Sequence, residues 1–165
     1  MKNILLTLIC LLIGLQLDAQ WKFVKSVDEL TDQDNSHAYC RGYGGEFPYE
    51  NPVFGVNNYR IYILDALHCV EDGTRVQIRI DKGQIFEYTS GKVNAWVSKD
   101  GKSFMVDKEP NLSDRTLNWD EQTQKLIDEI KEGSYMTIRI ETDYGINQFK
   151  VPLKGSTKAI NSLSR

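Results

Sequence analysis

The stretch Thr74-Arg75-Val76-Gln77-Ile78-Arg79-Ile80 alternates without a break: Val76, Ile78 and Ile80 are apolar, while Arg75, Gln77 and Arg79 are charged or carry an amide. A period of two is that of a β-strand with one buried face, because successive side chains point to opposite sides of a sheet. Asp72-Gly73 precedes this strand and Asp81-Lys82-Gly83 follows it, and both have the composition of tight hairpin turns. Further strands are expected at Gln84–Tyr88, Val93–Val97 and Ser103–Val106, with Asp100-Gly101 as another turn. Glycine-bearing turns at such short intervals predict an antiparallel meander, since parallel strands need long crossovers.

Upstream, Tyr59–Leu64 is rich in β-formers and apolar on both faces, which predicts a central strand. Trp21–Val27 and Ser36–Tyr43 read as a first and a second strand, separated by the polar turn Thr31–Asn35. Downstream, one amphipathic helix is expected over 118–132, with Asn118 as cap and Glu121 in a capping-box variant. Trp119, Leu126, Ile127 and Ile130 form its apolar stripe and Gly133 stops it. Met136, Ile138 and Ile140 then alternate with polar residues, and after a turn at Asp143-Tyr144-Gly145 so do Phe149, Val151 and Leu153. Pro152 has no amide to donate, which places that last strand at a sheet edge. Ser156–Leu163 closes as a short C-terminal helix with Ala159, Ile160 and Leu163 inward. The expectation is a mainly β fold, an antiparallel β-sandwich or strongly curled sheet of about nine strands.

The chain has 165 residues, with 20 Lys+Arg against 23 Asp+Glu and a net charge of −3. Its first 19 residues differ from the rest. Lys2 precedes an apolar run from Ile4 to Leu17, the length of a signal-peptide core and shorter than the roughly 20 residues that span a bilayer. Residues 1–19 are therefore expected to be a secretory signal cleaved after Ala19, which leaves residues 20–165 as a single domain in the periplasm or outside the cell. An uncleaved anchor and a lipoprotein at Cys10 are the rival readings of the same run. No later segment is apolar enough to span a membrane, and the charge balance excludes a polybasic nucleic-acid binder.

With the leader gone, Cys40 and Cys69 remain, and in an exported protein a pair reads first as a disulfide. Closing a loop of about 30 residues contributes roughly 3–4 kcal/mol by the chain-entropy estimate. The weaker alternatives are two free thiols and a metal held by His37, Cys40, His68 and Cys69, although this spacing matches no common zinc motif. No cofactor is expected.

No catalytic residue stands out. Gly155-Ser156-Thr157-Lys158 fails as a nucleophile elbow, and no phosphate-binding, dinucleotide, HExxH or EF-hand motif occurs. Glu46 and Glu50 are the carboxylates to test for hydrolysis of a carbohydrate or peptide. Arg75 and Arg79 share the outer face of one strand, the usual pattern of a solvated face, and the basic residues form no cluster along the chain. The segment Gly42–Pro52 (GYGGEFPYENP) reads as an exposed loop, and Tyr43, Phe47, Tyr49 and Phe54 crowd it. Aromatics beside glycine and carboxylates suit a loop that binds protein or carbohydrate; the competing reading folds the rings under to seal the end of the sandwich.

Three runs carry a resemblance: RVQIRIDKG (Arg75–Gly83), QKLIDEIKEGSYMTIRIET (Gln124–Thr142) and FKVPLKGSTKAINSL (Phe149–Leu163). Together with the strand starting at Trp21 and the turn Leu30-Thr31-Asp32, they resemble exported bacterial β-sandwich proteins of the invasion-associated locus B and type VI secretion-associated accessory type. The shared elements are turn and strand signatures, so Asp81 and Gly155 carry over as structural turn positions. The resemblance implies an envelope or secreted accessory protein without known catalysis, and the first expectation for its role is a non-enzymatic protein that binds a protein or glycan of the envelope. A structural envelope protein with no discrete ligand, and a hydrolase acting through loop carboxylates, are the alternatives.

Overall fold

The structure, a computed structural model, describes residues 20–46, 48–66, 73–92, 94–111, 116–143 and 145–163. The expected leader, residues 1–19, lies outside them, as do Phe47, His68 and Cys69. The fold is mainly β and entirely antiparallel, as anticipated. In chain order the strands are β1 (Lys22–Val24), β2 (His37–Arg41), β3 (Val53–Asn57), β4 (Arg60–Leu64), β5 (Arg75–Ile80) and β6 (Ile85–Thr89). They continue as β7 (Ala95–Val97), β8 (Ser103–Asp107), β9 (Glu109–Asn111) and β10 (Thr116–Asn118). Helix α1 (Glu121–Glu132) follows, then β11 (Tyr135–Thr142), β12 (Gly145–Pro152) and helix α2 (Ser156–Asn161).

A six-stranded sheet in the order β1-β2-β3-β4-β8-β7 and a four-stranded sheet in the order β12-β11-β5-β6 enclose the core, and β9 and β10 form a separate two-stranded ribbon. The alternation of β5 holds as read: Val76, Ile78 and Ile80 are buried. They lie across from Ile140, Ile138 and Met136 of β11, which are buried too. The expected meander is broken, however. Strands β4 and β5, which flank Asp72-Gly73, form no hairpin with each other: β4 pairs with β3 and β8, while β5 pairs with β11 and β6 in the other sheet, and Asp72 lies outside the described residues. The chain crosses back between sheets from β6 to β7, so within the expected meander β5–β6 and β7–β8 are the hairpins that their turns suggested.

The helix begins later than expected. Asn118 belongs to β10, opposite Glu109, and the cap is Asp120, whose Oδ1 accepts from the backbone N–H of Thr123 at 3.0 Å. Leu126, Ile127 and Ile130 are buried as read, and Thr123 joins them. At the other end, Ser156 and Thr157 donate their hydroxyls to the carbonyls of Ile130 (2.7 Å) and Lys131 (2.6 Å). Start of α2 thus satisfies carbonyls that the last turn of α1 leaves without an intrahelical partner. Gly133 ends α1 with φ −75°, so it is not a left-handed stop. Glycine is needed there for closeness, since a Cβ would run into Ile80 and Leu153. Pro152 lies on edge strand β12, as expected. Left-handed backbone at Asp32 (φ 53°), Asp81 (φ 47°) and Gly155 (φ 91°) marks the turns carried over from the resemblance.

Candidate functional site

Strand β2 sorts its residues by face. Ala38 and Cys40 are buried, while His37, Tyr39 and Arg41 lie on the opposite, outer face. This separates two members of the alternative metal set: His37 and Cys40 are three residues apart on a strand and point to opposite sides. His37 packs its ring against Tyr39, with centroids 5.6 Å apart. Among the described residues no group of His, Cys, Asp and Glu is placed to hold a metal. Cys40 is 1% exposed. Burial pushes its thiol up to about 11, and Sγ lies 3.5 Å from the Arg41 carbonyl. Its expected partner Cys69 lies outside the described residues.

Beyond Arg41 the chain leaves the sheet but is held closely. Gly42 N–H donates to the Pro52 carbonyl at 2.7 Å, closing the base of the 42–52 loop. Tyr43 then pairs with Lys150 of β12: Tyr43 N–H donates to Lys150 O at 2.8 Å and Lys150 N–H to Tyr43 O at 2.9 Å. This bridge ties the segment after β2 to β12, the edge strand of the other sheet. Asn147 fixes the loop from the core side. It is buried, its Nδ2 donates to the Ala66 carbonyl at 2.7 Å, and its Oδ1 accepts from the Glu46 backbone N–H at 3.0 Å. The sequence signal for it is its phase: Asn147 lies two residues before Phe149 and so shares the buried face of β12, where a polar side chain needs partners.

The expected aromatic cluster is divided. Phe54 is a core residue of β3 at 0% exposure, with Trp21 edge-on to it at 6.0 Å, so it is no part of a loop surface. Trp21 also donates its indole N–H to the Pro152 carbonyl at 2.9 Å, pinning the start of the domain to the end of β12. Tyr43 is 49% exposed, Tyr49 is half-buried, and Phe47 lies outside the described residues. Glu46 and Glu50 are both solvent-exposed.

Beside the loop, the outer face of β1 and β2 forms a groove of about 510 Å³ lined by Gln20, Lys22, Tyr39, Arg41, Tyr43 and Asn51. Lys22 lies directly across from Tyr39, which in turn lies across from Gly55, and Gly55 from Tyr62. A Cβ at Gly55 would overlap the Tyr62 ring, so the missing side chain lets that ring lie flat across β3. Burial, with a smaller effect of the Tyr39 hydroxyl, pushes the Tyr62 phenol up to about 12. The groove therefore offers phenol faces, two cations and amides at one sheet edge. That inventory suits hydrogen bonding and ring stacking, with no nucleophile–base pair on its walls.

Second concavity, of about 400 Å³, lies on the outer face of the four-stranded sheet. Arg79 of β5, Thr137 of β11 and Lys150 of β12 form one cross-strand row there. Gln77, Arg139 and Gln148 form the next. These residues are scattered along the chain, so the separation of basic residues in the sequence does not survive folding.

No helix among the described residues is long and apolar enough to cross a membrane. No family model matches the chain, and no curated protein matches it in sequence. Among solved structures, the chain is similar to invasion associated protein B from Bartonella henselae, with a TM-score of 0.55, 9% identity, and coverage of 90% of this chain and 94% of that one. At that identity the likeness shows the fold, and it bears out the resemblance drawn from the strand and turn signatures.

Proposed function

We propose that this chain is an exported, non-enzymatic accessory protein that binds a protein or glycan component of the bacterial cell envelope through the groove beside β2 and the 42–52 loop. The observation that carries this reading is Tyr43: half its surface is open to solvent while its backbone is held on both sides by Lys150. An aromatic side chain on a rigidly tethered loop is a contact that costs little conformational entropy to engage. Tyr39, Arg41 and Lys22 extend the same face. The fold likeness to an invasion associated protein supports an accessory role.

The test is affinity capture from envelope extract with the tagged protein and with Tyr43→Ala/Arg41→Ala. A partner retained by the parent and lost by the double variant supports the reading. Identical retention by both overturns the assignment to this groove. Glu46→Gln/Glu50→Gln separates the hydrolase alternative, since catalytic carboxylates would lose turnover by roughly 100-fold or more while a binding module would keep its partner. Fractionation of cells making the full chain, with N-terminal sequencing of the product, tests export and cleavage after Ala19.

A further inference from the structure

We propose that the outer face of the four-stranded sheet is a second binding site, one that takes an anionic saccharide chain with its carboxylate or sulfate group at Arg139. The site stands on β5, β11 and β12 and does not depend on the reading of the β2 groove.

Its centre is Arg139, whose Nε is buried and meets no hydrogen-bond partner. Buried polar groups are almost always satisfied, so a guanidinium with an unmet buried Nε keeps its charge uncompensated, and a planar anion can bind its two Nη groups in bidentate fashion. The surroundings reinforce this. Arg79, Lys82 and Lys150 line the same concavity, and among the described residues none of these cations forms an ion pair.

The nearby acids are already engaged. Glu87 accepts from Gln77 at 2.9 Å and lies 3.6 Å from Arg75, and Glu141 lies 3.9 Å from Arg75. Asp81, the one acid on the wall, accepts the backbone N–H groups of Ser134 (3.0 Å) and Tyr135 (3.1 Å). Arg79 is held by its own hairpin, Nε donating to the Gly83 carbonyl at 3.0 Å and Nη2 to that of Lys82 at 3.1 Å. A chain of net charge −3 thus collects uncompensated cations in one concave place, which focuses a positive potential there.

The other lining groups favour sugar over peptide or nucleic acid. Gln77, Thr137 and Gln148 present donors and acceptors suited to hydroxyls. An acidic peptide would bind most naturally by adding a strand at the β12 edge, but Tyr43 already pairs with that edge at Lys150. Nucleic acid would need an open ring to stack on, whereas Lys150 Nζ sits 5.5 Å over the Tyr135 ring.

The test is calorimetric titration of the protein with polygalacturonate, dextran sulfate, neutral dextran and poly-glutamate. Binding of polygalacturonate or dextran sulfate is expected, weakened roughly tenfold or more by Arg139→Gln and by raising salt from about 50 to about 300 mM. Lys150→Gln, at an exposed position, is expected to weaken it several-fold and guards against misfolding of the half-buried Arg139 variant. Lys99→Gln, at an exposed position that lines neither concavity, should leave it unchanged. Parent-like binding by both the Arg139 and Lys150 variants overturns the proposal. So does equal binding of neutral dextran, or poly-glutamate binding as tightly as the acidic glycans.

Discussion

Tyr88 Oη and Thr123 Oγ1 lie 3.1 Å apart in the core, linking β6 to the first turn of α1. The Thr123 hydroxyl donates to Asp120, so its proton is committed and Tyr88 must be the donor in the Tyr88–Thr123 bond. Asp120 also accepts the Thr123 N–H as helix cap. The helix start and the sheet are therefore satisfied by one chain of hydrogen bonds. Asp120→Ala is expected to cost about 1 kcal/mol as a lost cap. Thr123→Val strands a buried phenol and should cost about 1–3 kcal/mol. In a double-mutant cycle by urea unfolding, Tyr88→Phe should remove most of the Thr123→Val penalty; additive costs would refute the coupling.

The same buried phenol sets an alkaline limit. Burial pushes Tyr88 up to about 12, and burial does the same for Tyr62. In the unfolded chain tyrosine titrates near about 10. Between about pH 10 and 12 the unfolded state loses protons that the native state keeps, so stability is full below about pH 10 and falls as pH rises through this window. Urea midpoints measured from pH 9 upward should decline there, and the decline should be shallower in Tyr88→Phe. Equal slopes for the two proteins would contradict this.

Gly55 is required by its cross-strand partner. Its Cβ would overlap the Tyr62 ring, so Gly55→Ala should destabilise by about 1–3 kcal/mol through overpacking. In a Tyr62→Ala background the same substitution should cost far less. Equal costs in both backgrounds would show that Tyr62 is not the obstacle.

Asn147 anchors the 42–52 loop. Asn147→Ala would leave the Ala66 carbonyl and the Glu46 amide without their partner. We expect a loss of about 1–3 kcal/mol. Hydrogen exchange at the Glu46 amide should accelerate more than at amides in the centre of β11. An unchanged rate at Glu46 would argue that the loop is held by the Tyr43–Lys150 bridge alone.

The pairing of Cys40 with Cys69 remains our expectation for an exported chain. Cys40 is buried, and as a thiol it would be held up to about 11, hence slow to alkylate in the native state. Labelling must therefore follow denaturation. The chain from Gln20 onward, unfolded without reductant, should take up no thiol reagent, and both cysteines should label after reduction. Labelling of both before reduction would refute the disulfide.

The amino-acid sequence by itself determined the class of fold and the position of most strands, because a half-buried strand must alternate with period two. The turn residues at Asp81-Lys82-Gly83 and Asp100-Gly101 likewise announced true hairpins. Asp72-Gly73 looked the same locally and was not one, since partner choice between sheets depends on contacts far along the chain. Phe54 and Tyr43 were equally aromatic and close in sequence. Phe54 lies on the inner face of β3 opposite Cys40, whereas Tyr43 lies beyond the end of β2, bridged to Lys150. Asn118 was expected to cap the helix, and its pairing with Glu109 in β10 leaves that place to Asp120. The cations of the four-stranded sheet show the limit most clearly. Arg79, Arg139 and Lys150 are far apart in the chain, and antiparallel pairing of β5, β11 and β12 sets them side by side. Local propensity is a short-range property, whereas a binding surface is assembled by long-range register, so the strands could be read from the sequence and the surface only from the fold.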